Sequence, residues 1–195
     1  MQQALATELL VGQRFHESCS VKQALAGDLE FTRLVITAAD LMTDALHDGK
    51  TIFFFGNGGS AADAQHLAAE LTGRYLRERA ALAAVALTAN TSVLTAIGND
   101  YDYSSIFSRQ IEALGRAGDV AVGISTSGTS ANIVRGFVAA AEKGMRTIAL
   151  TGKTGGQLKP LVECCFCVPT EETPRIQEAH ILIGHILCEL VERAC

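Results

Sequence analysis

The chain has 195 residues, of which 48% are hydrophobic and 19% charged, and its formal net charge is −5 at pH 7. This composition excludes a disordered chain, and the length predicts a single domain over residues 1–195, since domains commonly run to about 100–200 residues. We expect no nucleic-acid partner, because that binding needs clustered lysine and arginine. We expect no membrane partner either, because no apolar run approaches the ~20 residues of a membrane helix.

Helices and strands alternate along the chain, starting with two predicted helices at residues 3–19 and 27–48. In the second, apolar residues recur near a period of 3.6. The other predicted elements, in chain order, are a strand at 51–55, a helix at 60–75 with Ser60 as its N-cap, a strand at 82–87, helices at 91–97 and 103–114, a strand at 119–124, a helix at 130–143, strands at 146–151 and 163–168, and a helix at 174–193.

The five predicted strands are continuously apolar, which is typical of parallel strands buried on both faces. Strands that alternate with helices in this way predict an α/β fold, a three-layer sandwich with a five-stranded parallel sheet flanked by helices. Residues 49–195 would form this α/β core, and residues 1–48 an N-terminal helical extension. Ligands in such folds bind beyond the carboxyl ends of the strands.

A hydroxyl-rich segment follows the third predicted strand, where residues 124–130 read Ile-Ser-Thr-Ser-Gly-Thr-Ser. A helix follows it, and a helix N-terminus binds anions through its unpaired N–H groups and its dipole. The sequence lacks the Gly-Lys-Ser/Thr of a nucleotide P-loop. We therefore predict a phosphate cradle that binds a sugar phosphate.

A glycine-rich segment follows the first strand, where residues 55–61 read Phe-Gly-Asn-Gly-Gly-Ser-Ala. It satisfies the loose dinucleotide pattern G-x-G-x-x-A, but the second strand is followed by Thr88-Ala89-Asn90, without the acid that would bind a ribose. This argues against a dinucleotide site. The glycines can form a tight turn, let a ligand approach the backbone, or do both.

Candidate metal ligands lie on two helices. His66 and Glu70 are one turn apart on one helix face, and both side chains are suitable zinc ligands, although the pair alone could equally be a solvated surface pair. Gln177 and His185 are eight residues apart on the last helix, about 12 Å along its axis and roughly 80° apart around it. Because one metal could hardly collect both from one straight helix, we predict a site at a subunit interface and hence a homo-oligomer.

The six cysteines do not form a disulfide or zinc pattern. Three crowd one short apolar segment and three are scattered, whereas a zinc knuckle would need two separated pairs. No basic stretch precedes an apolar core at the N-terminus, so we predict no signal peptide and a cytoplasmic location, where thiols stay reduced. We interpret the cysteines as buried, reduced thiols: Cys19, Cys164, Cys165, Cys167, Cys188 and Cys195.

These motifs together resemble those of the phosphoheptose isomerases, also called sedoheptulose 7-phosphate isomerases, of the sugar isomerase (SIS) family. The resemblance covers essentially the whole chain. The segments that carry it are the glycine loop at 56–60, the pair His66 and Glu70, the dipeptide Asn99-Asp100, the hydroxyl segment at 125–130, and residues 175–185 of the last helix.

The resemblance implies a flavodoxin-like SIS fold assembled as a homotetramer, with the N-terminal helices used in oligomerisation. It implies conversion of sedoheptulose 7-phosphate to D-glycero-D-manno-heptose 7-phosphate, the first step of bacterial ADP- or GDP-heptose synthesis. One Zn²⁺ per subunit would be bound at positions matching His66, Glu70, Gln177 and His185, and Glu70 and His185 match the acid/base pair.

The resemblance also implies a set of substrate-binding positions. The phosphate would lie among Ser125, Thr126, Ser127 and Ser130. The remaining substrate-binding positions are Asn57, Gly58, Gly59, Ser60, Glu70, Asn99, Asp100 and Gln177.

Two other SIS functions remain alternatives. A SIS relative binds the bacterial replication initiator DnaA without isomerase activity, and it lacks the acid at the position of Glu70 and the histidine at the position of His185, both of which this chain keeps. The second alternative is another sugar-phosphate isomerase or a sugar-phosphate-sensing regulator. A regulator would carry a DNA-binding segment, but the N-terminal ~50 residues show no helix-turn-helix pattern.

Overall fold

The computed structural model describes residues 2–195, with side chains from residue 5 onward. In chain order the elements are α1 (Gln2–Gly27), α2 (Leu29–His47), β1 (Ile52–Gly56), α3 (Gly59–Thr72), β2 (Ala84–Ala86), α4 (Thr91–Asp100), a short 3₁₀ helix (Tyr103–Ser105), α5 (Ser108–Leu114), β3 (Val120–Ser125), α6 (Ala131–Glu142), β4 (Arg146–Gly152), β5 (Cys164–Val168) and α7 (Thr173–Ala194). The five strands form one parallel sheet in the order β2-β1-β3-β4-β5, which confirms the predicted α/β fold.

The sheet is buried on both faces because successive side chains of its strands alternate between two apolar clusters. In β1, Ile52 and Phe54 point to the face covered by α2, α3 and α7, while Phe53 and Phe55 point to the face covered by α5 and α6. Phe55 is fully buried, and its ring lies 5.2 Å from that of Phe137 on α6. Burial of one such side chain stabilises the fold by about 1.5–3 kcal/mol.

The N-terminal helices differ from the prediction in their boundary. The first helix continues through residues 20–26, which were predicted to separate two helices, and it ends at Gly27. Asp28 then caps α2, because its carboxylate accepts hydrogen bonds from the backbone N–H groups of Glu30 and Phe31 at 2.9 and 3.0 Å. Such a cap satisfies N–H groups that have no partner within the helix.

Helix α3 begins and ends differently from the prediction. Ser60 is not its N-cap: Gly58 takes that position with φ +56°, a value that glycine tolerates, and no side chain caps the helix. The helix ends at Thr72, before Gly73, rather than at Tyr75. Tyr75 therefore lies in the segment after the helix, and its ring is free to pack elsewhere.

The region after β2 also departs from the prediction. Strand β2 is limited to three residues, and α4 continues to Asp100 instead of ending at residue 97. The helix predicted at 103–114 is interrupted, because the carboxylate of Asp102 accepts hydrogen bonds from the hydroxyl groups of Ser104 and Ser105 and stabilises a separate 3₁₀ turn.

Two contacts fix α7 against the sheet and against α3. The Nε2–H group of the buried His180 donates to the backbone carbonyl of Thr151 in β4 at 3.0 Å. Further along the helix, Gly184 packs on Leu67 of α3 so closely that a Cβ atom at position 184 would lie 2.6 Å from both leucine methyl groups. Helix α7 therefore lies directly against α3.

A buried carboxylate ties the end of α7 to the segment that follows α3. Glu192 accepts hydrogen bonds of 2.7–3.0 Å from three backbone N–H groups, those of residues 75–77, and its oxygen lies 3.4 Å from Nε of Arg79. Arg79 in turn donates to the carbonyl of Glu70 at 2.9 Å. Burial alone would raise the pKa of Glu192, but the three backbone donors together with the charge of Arg79 outweigh it, and the pKa is lowered.

The cysteines are only partly as predicted. All six are free, but only Cys164 and Cys188 are buried, while Cys165 and Cys167 are half-buried. The prediction of buried thiols is wrong for the two exposed cysteines, Cys19 and Cys195. None of the helices in residues 2–195 has the length and apolar character needed to cross a membrane.

The burial of His180 predicts a pH dependence of stability. Burial lowers the pKa of His180 from 6.5 to about 4, while its contact with Thr151 opposes the shift. The unfolded chain therefore takes up this proton at a higher pH than the folded chain. The stabilisation is complete above pH 6.5 and is lost as the pH falls towards 4, by about 3 kcal/mol over that window.

We expect the variant His180→Gln, whose amide can still donate to Thr151, to lose less stability than the wild type between pH 6.5 and pH 4. Urea unfolding at a series of pH values measures this difference, with His16→Gln, a change at an exposed position, as the control. An identical loss in the wild type and in His180→Gln would contradict the prediction.

Candidate functional site

Three predicted metal ligands converge where α3 meets α7. His66 and Glu70 lie one turn apart on α3, with His66 Nε2 3.0 Å from Glu70 Oε1. His185 on α7 brings its Nε2 atom to 3.0 Å from the same His66 nitrogen. One potential ligand atom from each residue lies within 4.8 Å of the others, so a single chain supplies this group.

The donor set fits a zinc-like ion. Two imidazole nitrogens and a carboxylate oxygen match the ligands of catalytic zinc sites, which leave a position open for water or substrate. Bonds of about 2.0–2.2 Å at a tetrahedral angle separate ligand atoms by about 3.3–3.5 Å, close to the 3.0 Å contacts around His66 Nε2. The side chains of His66 and Glu70 are 48% and 23% exposed, which leaves the group open to solvent.

Two neighbours of this group were missed by the sequence analysis. The ring of Tyr75 stacks on His185, with centroids 5.4 Å apart and planes 21° apart, and it was missed because the helix was predicted to include it. Asp63 lies one turn before His66 on α3. Burial raises the pKa of Asp63, while the charge interactions with His66 and His185 lower it. The spacing 63, 66, 70 along one helix face was the signal that could have found it.

Gln177, the fourth predicted ligand, lies at the other end of α3. Its amide packs on the glycine loop, where a Cβ atom at Gly59 would lie 2.7 Å from Gln177 Nε2. Gly59 precedes His66 by seven residues, which is about 10 Å along a helix. The structure therefore brings three of the four predicted ligands together in one chain, and only Gln177 would have to come from another subunit.

The hydroxyl segment forms a compact turn between β3 and α6. Ser125 Oγ lies 3.2 Å from Ser130 Oγ and accepts the N–H of Gly128 at 3.2 Å, while Ser127 Oγ accepts the N–H and the hydroxyl of Thr129 at 3.2 and 3.1 Å. The turn thus gathers four hydroxyl groups at the N-terminus of a twelve-residue helix, where an anion is favoured.

A cavity of about 190 Å³ opens beside this turn, next to Thr126 and Ser127. Its other side is lined by Lys153, which forms an ion pair with Glu171, and by Ile176 of α7, the residue before Gln177. The cavity thus connects the hydroxyl segment with the helix that carries Gln177 and His185.

The glycine loop is tied to the first turn of α6, which follows the hydroxyl segment, through a pair of amides. Asn57 donates to Asn132 Oδ1 at 2.9 Å, and Asn132 donates to Asn57 Oδ1 at 2.8 Å. The hydroxyl group of Tyr103 donates to the same Asn57 oxygen at 3.0 Å. Sequence reasoning missed Asn132, which is buried in the first turn of α6, because a pairing across 75 residues leaves no local pattern.

The other predicted substrate positions differ in their exposure. Gly58 and Gly59 are exposed on the loop, whereas Ser60 is buried at the start of α3. Asn99 and Asp100 are exposed at the end of α4, where the Asn99 amide donates to the Asp100 carboxylate at 2.9 Å. They precede the 3₁₀ helix whose Tyr103 contacts Asn57.

Comparison with known proteins identifies the family. The SIS domain family model matches residues 30–152. The phosphoheptose isomerase of Akkermansia muciniphila is 55% identical over 170 residues, covering 87% of this chain and 87% of that protein. The phosphoheptose isomerase of Aquifex aeolicus is 53% identical over 178 residues, covering 91% of this chain and 92% of that protein.

A solved structure agrees with the sequence comparison. The phosphoheptose isomerase GmhA from Neisseria gonorrhoeae is 47% identical and superposes with a TM-score of 0.90, over 96% of this chain and 99% of that chain. This chain belongs to the phosphoheptose isomerase family of SIS domain proteins.

Proposed function

We propose that this chain is an aldose–ketose isomerase that converts sedoheptulose 7-phosphate to D-glycero-D-manno-heptose 7-phosphate, the first step of bacterial ADP- or GDP-heptose synthesis. The observation that carries the proposal is the convergence of His66, Glu70 and His185 at contacts of 3.0 Å in a member of this isomerase family. A DnaA-binding relative would need neither Glu70 nor His185, so their convergence favours the enzyme.

The reaction needs an acid and a base that act on neighbouring atoms. Turning a ketose into an aldose moves one proton between adjacent carbons and another between their oxygens, through an enediol. We assign Glu70 as the base that moves the carbon-bound proton and His185 as the acid that serves the oxygen. Acid–base help of this kind is typically worth ~10²–10⁴-fold in rate.

We propose that one Zn²⁺ per subunit is bound by His66, Glu70 and His185, with Gln177 of a neighbouring copy as the fourth ligand. When bound, such an ion polarises the substrate carbonyl. Glu70 faces His66 with Oε1, so we assign the proton transfer to its other oxygen, Oε2. The stacked ring of Tyr75 holds the His185 imidazole in its orientation towards α3.

We propose that the hydroxyl segment binds the substrate phosphate through Ser125, Thr126, Ser127 and Ser130. Binding the phosphate away from the reacting carbons uses remote binding energy to orient the sugar. The remaining proposed sugar contacts follow the family pattern: Asn57, Gly58, Gly59, Ser60, Asn99, Asp100 and Gln177.

We also propose a homotetramer in which the N-terminal helices pack between subunits, in the cytoplasm. Large apolar side chains of α1 are exposed in the single chain, among them Leu9, which is 67% exposed, and Phe15, which is 69% exposed. An apolar groove of about 340 Å³ lies between α1, α2 and α7. Exposed apolar surface of this kind supports burial against other subunits.

Turnover of sedoheptulose 7-phosphate by the purified protein tests the proposed function. We expect conversion that is lost with a chelator and restored by Zn²⁺, read by exchange of the carbon-bound protons of the sugar with solvent. Absence of conversion by the metal-loaded protein would contradict the isomerase assignment and favour the DnaA-binding alternative.

Replacing the proposed base tests its role separately. We expect Glu70→Gln to abolish turnover, a loss of at least about 10²-fold, while the variant still binds substrate through the distant hydroxyl segment. Single-turnover kinetics and calorimetric binding measure the two properties. Glu78→Gln is the matched control, since the Glu78 side chain is 92% exposed. Near-normal turnover in Glu70→Gln would remove Glu70 as the base.

Replacing a hydroxyl group tests the phosphate site. We expect Ser127→Ala to raise KM with little change in kcat, because the lost contact lies far from the reacting carbons. Ser20→Ala, at an exposed position on α1, is the control for loss of a surface hydroxyl group. An unchanged KM in Ser127→Ala would exclude Ser127 from phosphate binding.

A further inference from the structure

Two thiols lie side by side on the outermost strand of the sheet. Cys165 and Cys167 are alternate residues of β5, so they share one face of the strand, and their Sγ atoms are 3.8 Å apart. Both are half-buried, whereas Cys164 is buried on the opposite face, in the cluster under α2 and α7. The strand β5 pairs only with β4 within the sheet of the described chain.

The surroundings of the two sulfurs consist of weak partners. The hydroxyl group of Thr151 lies 3.7 and 3.6 Å from the two Sγ atoms, but it also donates to the carbonyl of Phe166 at the shorter distance of 2.9 Å. Cys167 Sγ lies 3.8 Å from the carbonyl of Cys165. Burial raises the pKa of Cys165 to about 11, so this thiol carries its proton at neutral pH.

The separation of the sulfurs suits a single bridging atom. A zinc–thiolate bond is about 2.3 Å long, and two such bonds that meet at one atom with a tetrahedral angle place their sulfurs about 3.8 Å apart. Centres that prefer sulfur accept such a pair in place of nitrogen or oxygen ligands. No metal or substrate role has been assigned to these residues in the proposed reaction.

We propose that Cys165 and Cys167 form a dithiol site for a soft, thiophilic centre that takes two sulfur ligands, such as the arsenic atom of a trivalent arsenical. The step is a condensation without a redox change. An arsenic centre that carries two hydroxyl groups forms two As–S bonds, both S–H bonds and both As–O bonds break, and two water molecules leave.

This site lies next to the loop around Gly155, which follows β4 and packs on the hydroxyl segment. Gly155 covers the sulfurs so closely that a Cβ atom there would lie 3.1 Å from Cys167 Sγ and 3.2 Å from Cys165 Sγ. The other side of this loop packs on Gly128, where a Cβ atom would overlap the Gly155 carbonyl, and the N–H of Gln157 donates to the Gly128 carbonyl at 2.9 Å.

An occupant that bridges the sulfurs on the side of Gly155 would displace Gly155, and with it Gly128 of the hydroxyl segment. Occupancy should weaken phosphate binding without touching Glu70 or His185. This consequence for the reaction rests on the proposed function, whereas the dithiol site itself does not.

Phenylarsine oxide, added to the purified full-length protein, tests the site. Intact mass should show one phenylarsenic group per chain, and peptide mapping should place it on residues 165 and 167. We expect each of the variants Cys165→Ser and Cys167→Ser to abolish the adduct. The control is the double variant Cys19→Ser/Cys195→Ser, which removes the exposed thiols and should retain the adduct. An adduct that persists in Cys165→Ser, or none in the wild type, would overturn the proposal.

The coupling to the hydroxyl segment has its own measurement. In the arsenical-treated protein we expect KM for the sugar phosphate to rise about tenfold, which corresponds to about 1.4 kcal/mol, with kcat nearly unchanged, and excess dithiol to reverse it. An adduct with an unchanged KM would overturn the coupling. If the untreated protein does not turn over the substrate, the proposed function fails, while the mass measurement still decides the dithiol site.

Discussion

The close approach of α7 to α3 is the contact on which the candidate site depends. Gly184 has no side chain, so Leu67 of α3 packs directly on the backbone of α7. His185 follows Gly184 on α7, and His66 precedes Leu67 on α3. The Nε2 atoms of these two histidines are 3.0 Å apart. Because successive helix residues point about 100° apart, the apolar contact in the core fixes a polar contact at its rim, which is open to solvent.

Two polar anchors hold α7 in the register that this contact requires. His180 joins the middle of the helix to the end of β4 through the Thr151 carbonyl, and Glu192 joins its last turns to residues 75–77. Both groups are buried, and a buried polar group that loses its partners costs about 1–3 kcal/mol, more when it is charged. Sliding of α7 along α3 would break both anchors, so the candidate metal group is positioned by side chains that do not belong to it.

Local patterns predicted the parts of the structure that depend on neighbouring residues. The apolar strands between helices predicted the sheet and its helical layers, and the spacing of His66 and Glu70 predicted one side of the candidate metal group. Two of the failures involve residues distant in sequence or a single backbone angle. The pairing of Asn57 with Asn132 has no local signature, and the positive φ of Gly58, not a side-chain cap at Ser60, sets the start of α3. Helical spacing correctly predicted that Gln177 and His185 lie apart on α7. It carries no information on the contact of His185 with His66 in the same chain, because that contact joins two helices.

X-ray absorption at the zinc edge, on protein loaded with one equivalent of Zn²⁺, tests most directly whether the α3–α7 contact creates a metal site. We expect nitrogen and oxygen ligands at about 2.0–2.2 Å, with the outer-shell scattering of imidazole rings and no sulfur at about 2.3 Å. We also expect His185→Ala to remove part of the imidazole signal. Sulfur ligands in the wild type, or a spectrum that His185→Ala leaves unchanged, would contradict this expectation.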